Sequence, residues 1–459
     1  MTIMKSLLLG SAATLVVVAG AQAADLPTKK GAPAAQYVKV CNIAGVAGFV
    51  IPGSDTCLKI SGGVVAMGVF GSLDKQYTMN PATGKPVLTS LGATKTRDAI
   101  GLSGRADIGL EAVSNTANGP LISVIDLHFD QGYGMGVAGP NWSYVNSAYL
   151  QWAGITAGLH GSFYDYIAGG PAWWNLISPE HSGTGVPLFA YTATFGGGFS
   201  ATVSVEESGS TVEESGRQVF DGANETFSDV NGAAYTNSSL GARAPDIVAA
   251  LDLTQSWGTA HLAGVAHQAT IESPFGDSDT DWGYGVLGGV GFNLPQLGAG
   301  DVFKLQGAYS YGAISYSGFT TAGWGQGDNG VNINGNGLIY SFADGVQSSV
   351  NGVWAKPTTW EVAATLDLHL TPQFEIQPAI SYGSLTWSHR GDFTDFEGNM
   401  NSWLGGAVFT WAPAKNLSFN LEAIYQYTHW NKGTGDYAAA GVPNDASGFN
   451  GRVRVERDF

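Results

Sequence analysis

Residues 360–370 read Trp360-Glu361-Val362-Ala363-Ala364-Thr365-Leu366-Asp367-Leu368-His369-Leu370, and Thr371-Pro372-Gln373 follows. Trp360, Val362, Ala364, Leu366, Leu368 and Leu370 fall on one face; Glu361, Ala363, Thr365, Asp367 and His369 fall on the other. A period of two is that of an extended strand, whose successive side chains leave the pleat on opposite sides. Strands of water-soluble sandwiches usually run to about five or six residues. A strand that crosses a bilayer at a tilt needs about nine to eleven. Leu417–Thr428 repeats the pattern, with Leu417, Phe419, Leu421, Ala423, Tyr425 and Tyr427 against Ser418, Asn420, Glu422, Gln426 and Thr428. Leu121–Asp130 sets Ile125, Leu127 and Phe129 against Asp126, His128 and Asp130.

Sixteen such segments follow from Leu58, near 58–72, 98–114, 120–130, 144–153, 155–164, 188–196, 199–206 and 246–256, then 259–270, 282–293, 302–316, 359–370, 374–388, 400–412, 417–430 and 449–459. Seven connections are brief, such as Gly196-Gly197-Gly198, Ser256-Trp257-Gly258 and Pro413-Ala414-Lys415-Asn416. The eight that alternate with them are longer, and 207–245 and 317–358 run to about forty residues. Short turns, long loops and an even count belong to outer-membrane barrels. The expected fold is all-β: a 16-stranded antiparallel transmembrane β-barrel with long extracellular loops and short periplasmic turns. Closure pairs every backbone N–H and C=O within the sheet, as lipid requires. Sixteen strands enclose an aqueous channel.

Composition supports this. The 459 residues include 66 Gly, only 12% are charged, 44% are apolar, and 21 Phe, 13 Trp and 18 Tyr are present. Low charge excludes a coiled coil or an acidic disordered chain. After the N-terminus no apolar run reaches the roughly 20 residues of a membrane helix. With 20 Lys+Arg against 37 Asp+Glu the net charge is −17, which speaks against a nucleic-acid partner.

Residues 1–23 read as a signal peptide: Lys5, an apolar run from Leu7 to Gly20, then Ala21-Gln22-Ala23 before the cleavage site. A retained anchor is the weaker reading, because an apolar run of about 14 residues does not span a bilayer. Residues 24–57 are then a periplasmic N-terminal segment and 58–459 the barrel. Loss of Lys5 takes the mature charge from −17 to −18. In an exported chain Cys41 and Cys57 are expected to form a disulfide, with two free thiols as the alternative. A bridge closing 15 intervening residues would restrict the unfolded chain by about 3 kcal/mol.

Trp152, Trp257, Trp360, Trp387, Trp403, Trp411 and Trp430 lie near the ends of expected strands, where a barrel places aromatics at headgroup level. The last strand alternates to a terminal Phe459, with Arg457 out of pattern and tolerable only at a rim. That terminal aromatic resembles the assembly signal of bacterial outer-membrane barrels.

Cys41 and the run Ile51-Pro52-Gly53-Ser54-Asp55-Thr56-Cys57-Leu58-Lys59-Ile60-Ser61-Gly62 resemble the start of the alphaproteobacterial porins. The signal peptide, Asp25 after cleavage and Phe459 extend the resemblance over the whole chain. It implies trimeric, sixteen-stranded barrels in the outer membrane of a Gram-negative bacterium, through which ions and small hydrophilic solutes diffuse. The implied partners are two further copies of the chain, outer-membrane lipid and lipopolysaccharide, and the barrel-assembly machinery. Two positions depart from the pattern: Gly63 stands where an aromatic is common, and His160 where an Arg is expected.

Catalytic and cofactor motifs fail on inspection. Gly283, Gly285 and Gly288 fit G-x-G-x-x-G but sit inside an alternating strand with no helix after them. Asp277, Asp279 and Asp281 have the spacing of Ca²⁺ ligands, yet Trp282 stands where an EF-hand needs Gly. The eight His are scattered without metal-site spacing. No enzyme, cofactor or metal is expected.

A pore works by electrostatics, and a charge facing lipid at mid-membrane costs about 2–4 kcal/mol. Lys59, Arg105, Asp107, Glu111, Asp126, Lys304, Glu361, Asp367, Glu422, Arg452 and Arg454 therefore mark the channel wall. In general porins the third long loop, here Asp165 to Pro187, folds inward. By that resemblance Asp165 and Glu180 would face Lys59, Arg105, Arg452 and Arg454 across a constriction. Acidic residues in outer loops (Glu206, Glu207, Glu213 and Glu214; Asp277, Asp279 and Asp281) suggest a mild cation preference. The alternatives are a channel selective for sugars or anions, a surface adhesin or structural barrel, and a barrel enzyme.

Overall fold

The computed structural model describes residues 39–71, 75–79, 86–91, 100–134, 142–167, 176–179, 182, 185–207, 219–221, 226–228, 244–272, 278–319, 344, 346–347, 354–387, 399–431 and 444–459. The signal peptide, Glu180, Glu213, Glu214 and Asp277 lie outside them. Sixteen strands form the wall. They are β1 Cys57–Gly71, β2 Ile100–Thr116, β3 Gly119–Gly134, β4 Trp142–Trp152, β5 Ile155–His160, β6 Val186–Gly196, β7 Phe199–Glu206 and β8 Asp246–Gln255. Then come β9 Gly258–Glu272, β10 Ser278–Asn293, β11 Val302–Tyr311, β12 Pro357–Thr371, β13 Phe374–Trp387, β14 Asn399–Ala414, β15 Leu417–Asn431 and β16 Asp445–Asp458. Each pairs antiparallel with the next, and β16 returns to β1 from Asn450↔Gly71 to Asp458↔Gly63, closing the barrel.

At one rim most turns are residue pairs: 117–118, 153–154, 197–198, 256–257, 372–373 and 415–416. Ala153 and Gly154 both have positive φ, the conformation whose twist suits two-residue hairpins. Long connections occupy the opposite rim. A hairpin, Val40–Ile43 with Val46–Val50, joins β1 through Phe49↔Leu58 and Val50↔Cys57. Cys41 and Cys57 are bridged, with Cα atoms 5.8 Å apart.

The wall is inverted relative to a soluble protein. On β12 Val362 is 44% exposed while its neighbour Glu361 is 1% exposed; on β15 the values are 48% for Leu421 and 2% for Glu422. Apolar side chains point outward and polar ones inward, which is stable only with hydrocarbon outside. Aromatics edge the apolar band at two levels. Tyr284, Tyr309, Trp360, Tyr382, Trp403 and Tyr425 pack in sequence toward the long loops. Phe374, Trp411 and Phe419, with Trp257 on Phe292, pack near the turns. Trp403 and Trp411 are separated by about 27 Å of strand. At a tilt of about 40° that is about 20 Å of membrane thickness, close to the apolar band of such barrels. Arg457 does sit at the rim: its guanidinium donates to the Asn416 carbonyl (3.1 Å) in the β14–β15 turn.

Two strands end earlier than their sequence pattern. β5 stops at His160 because the Ser162 hydroxyl accepts from the Tyr164 amide (3.1 Å) and turns the chain away from the sheet. β11 stops at Tyr311 because Gly312 takes φ 60°, and a buried 3₁₀ turn, Ile314–Ser317, follows.

Candidate functional site

The third long connection, 161–185, leaves β5, and its described residues lie on the inner side of the wall. Side chains on four wall strands hold it. Glu206 on β7 accepts from the Ser162 hydroxyl (2.6 Å) and the Phe163 amide (3.2 Å). On β9, Thr259 meets the Tyr166 hydroxyl (2.8 Å) and His261 Nε2 meets the Tyr164 carbonyl (3.1 Å). Gln306 on β11 accepts from the Ile167 amide (2.6 Å) and donates to Glu361 (2.9 Å). Farther round, Ser381 on β13 accepts from the Ile177 amide (2.9 Å). β13 lies across the barrel from β5, so Ile177 is held on the wall opposite the strand that the connection leaves.

Glycines make room for this loop. On the inner face of β10 a Cβ at Gly289 would lie 2.2 Å from the Tyr166 ring, and one at Gly285 would lie 2.9 Å from the Tyr164 hydroxyl. Of the G-x-G-x-x-G match, which lies inside a strand as expected, Gly285 belongs to this floor under the tyrosines, Gly283 faces the Gly312 backbone and Gly288 faces outward. The Tyr164 hydroxyl donates to the Tyr316 carbonyl (3.0 Å), and the two rings meet edge to face at 4.8 Å. Burial pushes both phenols well above their usual pKa, and the nearby Asp165 carboxylate adds to the shift, so both remain neutral donors.

The basic residues singled out from the sequence gather on adjacent strands: Lys59 on β1, Arg105 on β2, Arg452 and Arg454 on β16. Each has a carboxylate on the same wall. Lys59 lies 3.7 Å from Glu111, and Arg105 lies 3.2 Å from Asp130 and 3.9 Å from Asp107. Arg452 lies 3.5 Å from Glu422, and Arg454 lies 2.7 Å from Glu456. His128 joins the Arg105 group, 3.2 Å from Asp126 through Nε2 and 2.9 Å from the Tyr144 hydroxyl through Nδ1. The wall there is a lattice of alternating charge, its ion pairs running both across and along strands. Asp165 accepts from the Ser182 amide (2.7 Å), which folds the loop on itself.

His160, at the Arg position of the resemblance, meets the Gly161 carbonyl through Nδ1 (2.8 Å). It packs edge-on to Tyr149 at 4.5 Å and stacks on Phe163 at 5.5 Å. Glu206 differs from its reading as a loop charge: it is buried and clamps the start of the third loop. Thr202, Ser204 and Glu206 share one face of β7, so the period-two pattern carried that signal. Asp281 pairs with Lys356 (2.5 Å). No metal-ligand cluster occurs among the described residues.

The chain matches the family described as the Porin subfamily over residues 25–449. Porin Omp2b of Brucella canis is 30% identical over 423 residues, spanning 88% of this chain and 98% of that protein. Porin Omp2b of Brucella abortus (strain 2308) is 29% identical over the same shares. Among solved structures, the outer membrane channel DcaP of Acinetobacter baumannii superposes with a TM-score of 0.58 at 13% identity, covering 90% of this chain and all of that one, a likeness of fold. With the closed, inverted barrel, these similarities establish that the chain belongs to the porin subfamily and resides in the outer membrane.

Proposed function

We propose that this porin is a general diffusion channel for small hydrophilic solutes and ions, narrowed by its third loop. The observation that supports the reading is where the third connection is held: Ser162–Ile167 on β7, β9 and β11, and Ile177 at Ser381 on β13, across the barrel from β5. Hydroxyls, amides and paired charges on the inner wall suit hydrated solutes without selecting one. In this reading residues 1–23 are removed on export, 24–57 lie at the periplasmic rim, and the long loops face outward. Three copies assemble in the membrane, in contact with lipid and lipopolysaccharide, after insertion by the barrel-assembly machinery through Phe459. Asp165 and Glu180 stand on the loop side of the constriction and Lys59, Arg105, Arg452 and Arg454 on the wall side. Among the described residues that wall is close to neutral, because each cation has a carboxylate within 4 Å.

The mature charge of −18 then sets a mild cation preference, carried by acidic loops but without Glu206, which is occupied in the loop clamp. Screening lengths are about 10 Å at 0.1 M and about 3 Å at 1 M, so the preference fades with salt. A planar bilayer under a salt gradient tests this. The expected reversal potential has the cation sign at low ionic strength and shrinks at high; an anion sign at low salt would refute the proposed selectivity.

A further inference from the structure

His267, on the inner face of β9, is buried between two aspartates from different parts of the chain. Its Nδ1 lies 2.9 Å from Asp246, the first residue of β8, and its Nε2 lies 3.3 Å from Asp344, in the long connection 312–356 between β11 and β12. Nδ1 is within hydrogen-bonding distance of Asp246 and Nε2 faces Asp344 at ion-pair distance, and the imidazolium form attracts both carboxylates. The second oxygen of each aspartate also has work in that connection. Asp246 accepts from the Tyr316 hydroxyl (2.6 Å), and Asp344 accepts from the Ile314 amide (2.7 Å). Neighbouring hydroxyls continue the attachment: Ser317 bonds Ser310 on β11 (3.1 Å) and Thr359 on β12 (2.5 Å).

This network reaches the third loop directly. Tyr316, held by Asp246, gives its carbonyl to the Tyr164 hydroxyl. A Cβ at Gly318, just beyond the 3₁₀ turn, would lie 2.3 Å from the amide nitrogen of Ser178, so the two inward segments touch backbone to backbone there. One imidazole thus ties together β8, β9, both described limbs of the 312–356 connection and, through Tyr316, the third loop.

We propose that His267 is a positioning residue of the channel, an electrostatic latch whose grip on Asp246 and Asp344 holds the Gly312–Phe319 limb against the wall and thereby fixes the third loop. The latch rests on the pore reading above. It adds a second inward segment to the lumen and names an imidazole on which that segment's seat depends. Removing the imidazole takes away the cation held between two buried carboxylates, and such breakage is strongly unfavourable. Deleting the charge of Asp344 as well removes that conflict.

The test is single-channel recording of the full-length protein in planar bilayers, with heat-modifiable gel mobility as the check on assembly. His267→Gln is expected to form assembled barrels whose current switches between levels about tenfold more often than the parent's. His267→Gln combined with Asp344→Asn is expected to return toward parent behaviour, which a residue needed merely for packing would not show. Tyr316→Phe, which deletes one hydroxyl and keeps the ring, is the milder second variant and is expected to raise switching less. Quiet, parent-like currents from both His267→Gln and Tyr316→Phe would overturn the latch, as would a double variant as noisy as the single one. A His267→Gln chain that does not assemble moves the decision to Tyr316→Phe. A parent that passes no current would overturn the pore reading itself, and the latch with it.

Discussion

Gly289→Ala is the smallest change that should move the third loop. The new Cβ would lie 2.2 Å from Cδ1 of Tyr166 and 2.7 Å from its Cε1 and Cγ, the body of the ring and not a flexible tip. Carbon atoms rest at about 3.5–4.0 Å, so the ring must retreat by about 1.3–1.8 Å. The wall lies behind the glycine, leaving the lumen as the open direction. A retreat of that size stretches the 2.8 Å bond from the Tyr166 hydroxyl to Thr259 beyond hydrogen-bonding range. The lost bond costs about 1 kcal/mol and the overpacking about 1–3 kcal/mol. The control is one residue away: Gly288 faces outward, and a Cβ there would meet nothing within 4 Å. In planar bilayers Gly289→Ala should form channels of lower unitary conductance than the parent, and Gly288→Ala should match the parent. Equal conductance for all three would refute the claim that Tyr166, seated on β10, helps set the width of the path.

Two shorter predictions follow from the ends of the chain. Non-reduced protein should show no alkylatable thiol, and Cys57→Ser should lose about 3 kcal/mol of stability, read as a lower unfolding temperature on heat-modifiable gels; two reactive thiols in the native protein would contradict this. Deleting Phe459 should sharply reduce assembled barrel at the cell surface, because its amide donates to the Gly62 carbonyl (3.0 Å) and a Cβ at Gly62 would lie 2.7 Å from its ring. Normal surface levels of the truncated chain would count against it.

The barrel was legible because its physics is local. Alternation such as Trp360–Leu370 needs nothing beyond the pleat and the solvent, and two-residue turns such as Ala153-Gly154 punctuate it. What escaped were the points where a side chain or a glycine competes with the sheet, as at Ser162 after β5 and Gly312 after β11. The mid-strand positions of the wall charges were legible, but their pairing depends on register between neighbouring strands, as with Arg452 and Glu422. The inward course of Ile314–Phe319 left no periodic trace at all. It rests on His267, Asp246 and Asp344, brought together only when the barrel closes. By contrast Gly283, Gly285, Gly289 and Gly291, all on one face of β10, were a readable stripe whose meaning needed the tyrosines lying over it.

Swelling of liposomes that contain the purified protein, measured with a series of neutral sugars of increasing size, tests the diffusion channel most directly. The account predicts entry of every small sugar at rates that fall smoothly with size and do not saturate with concentration. Absence of flux, or saturable entry of a single sugar, would contradict it.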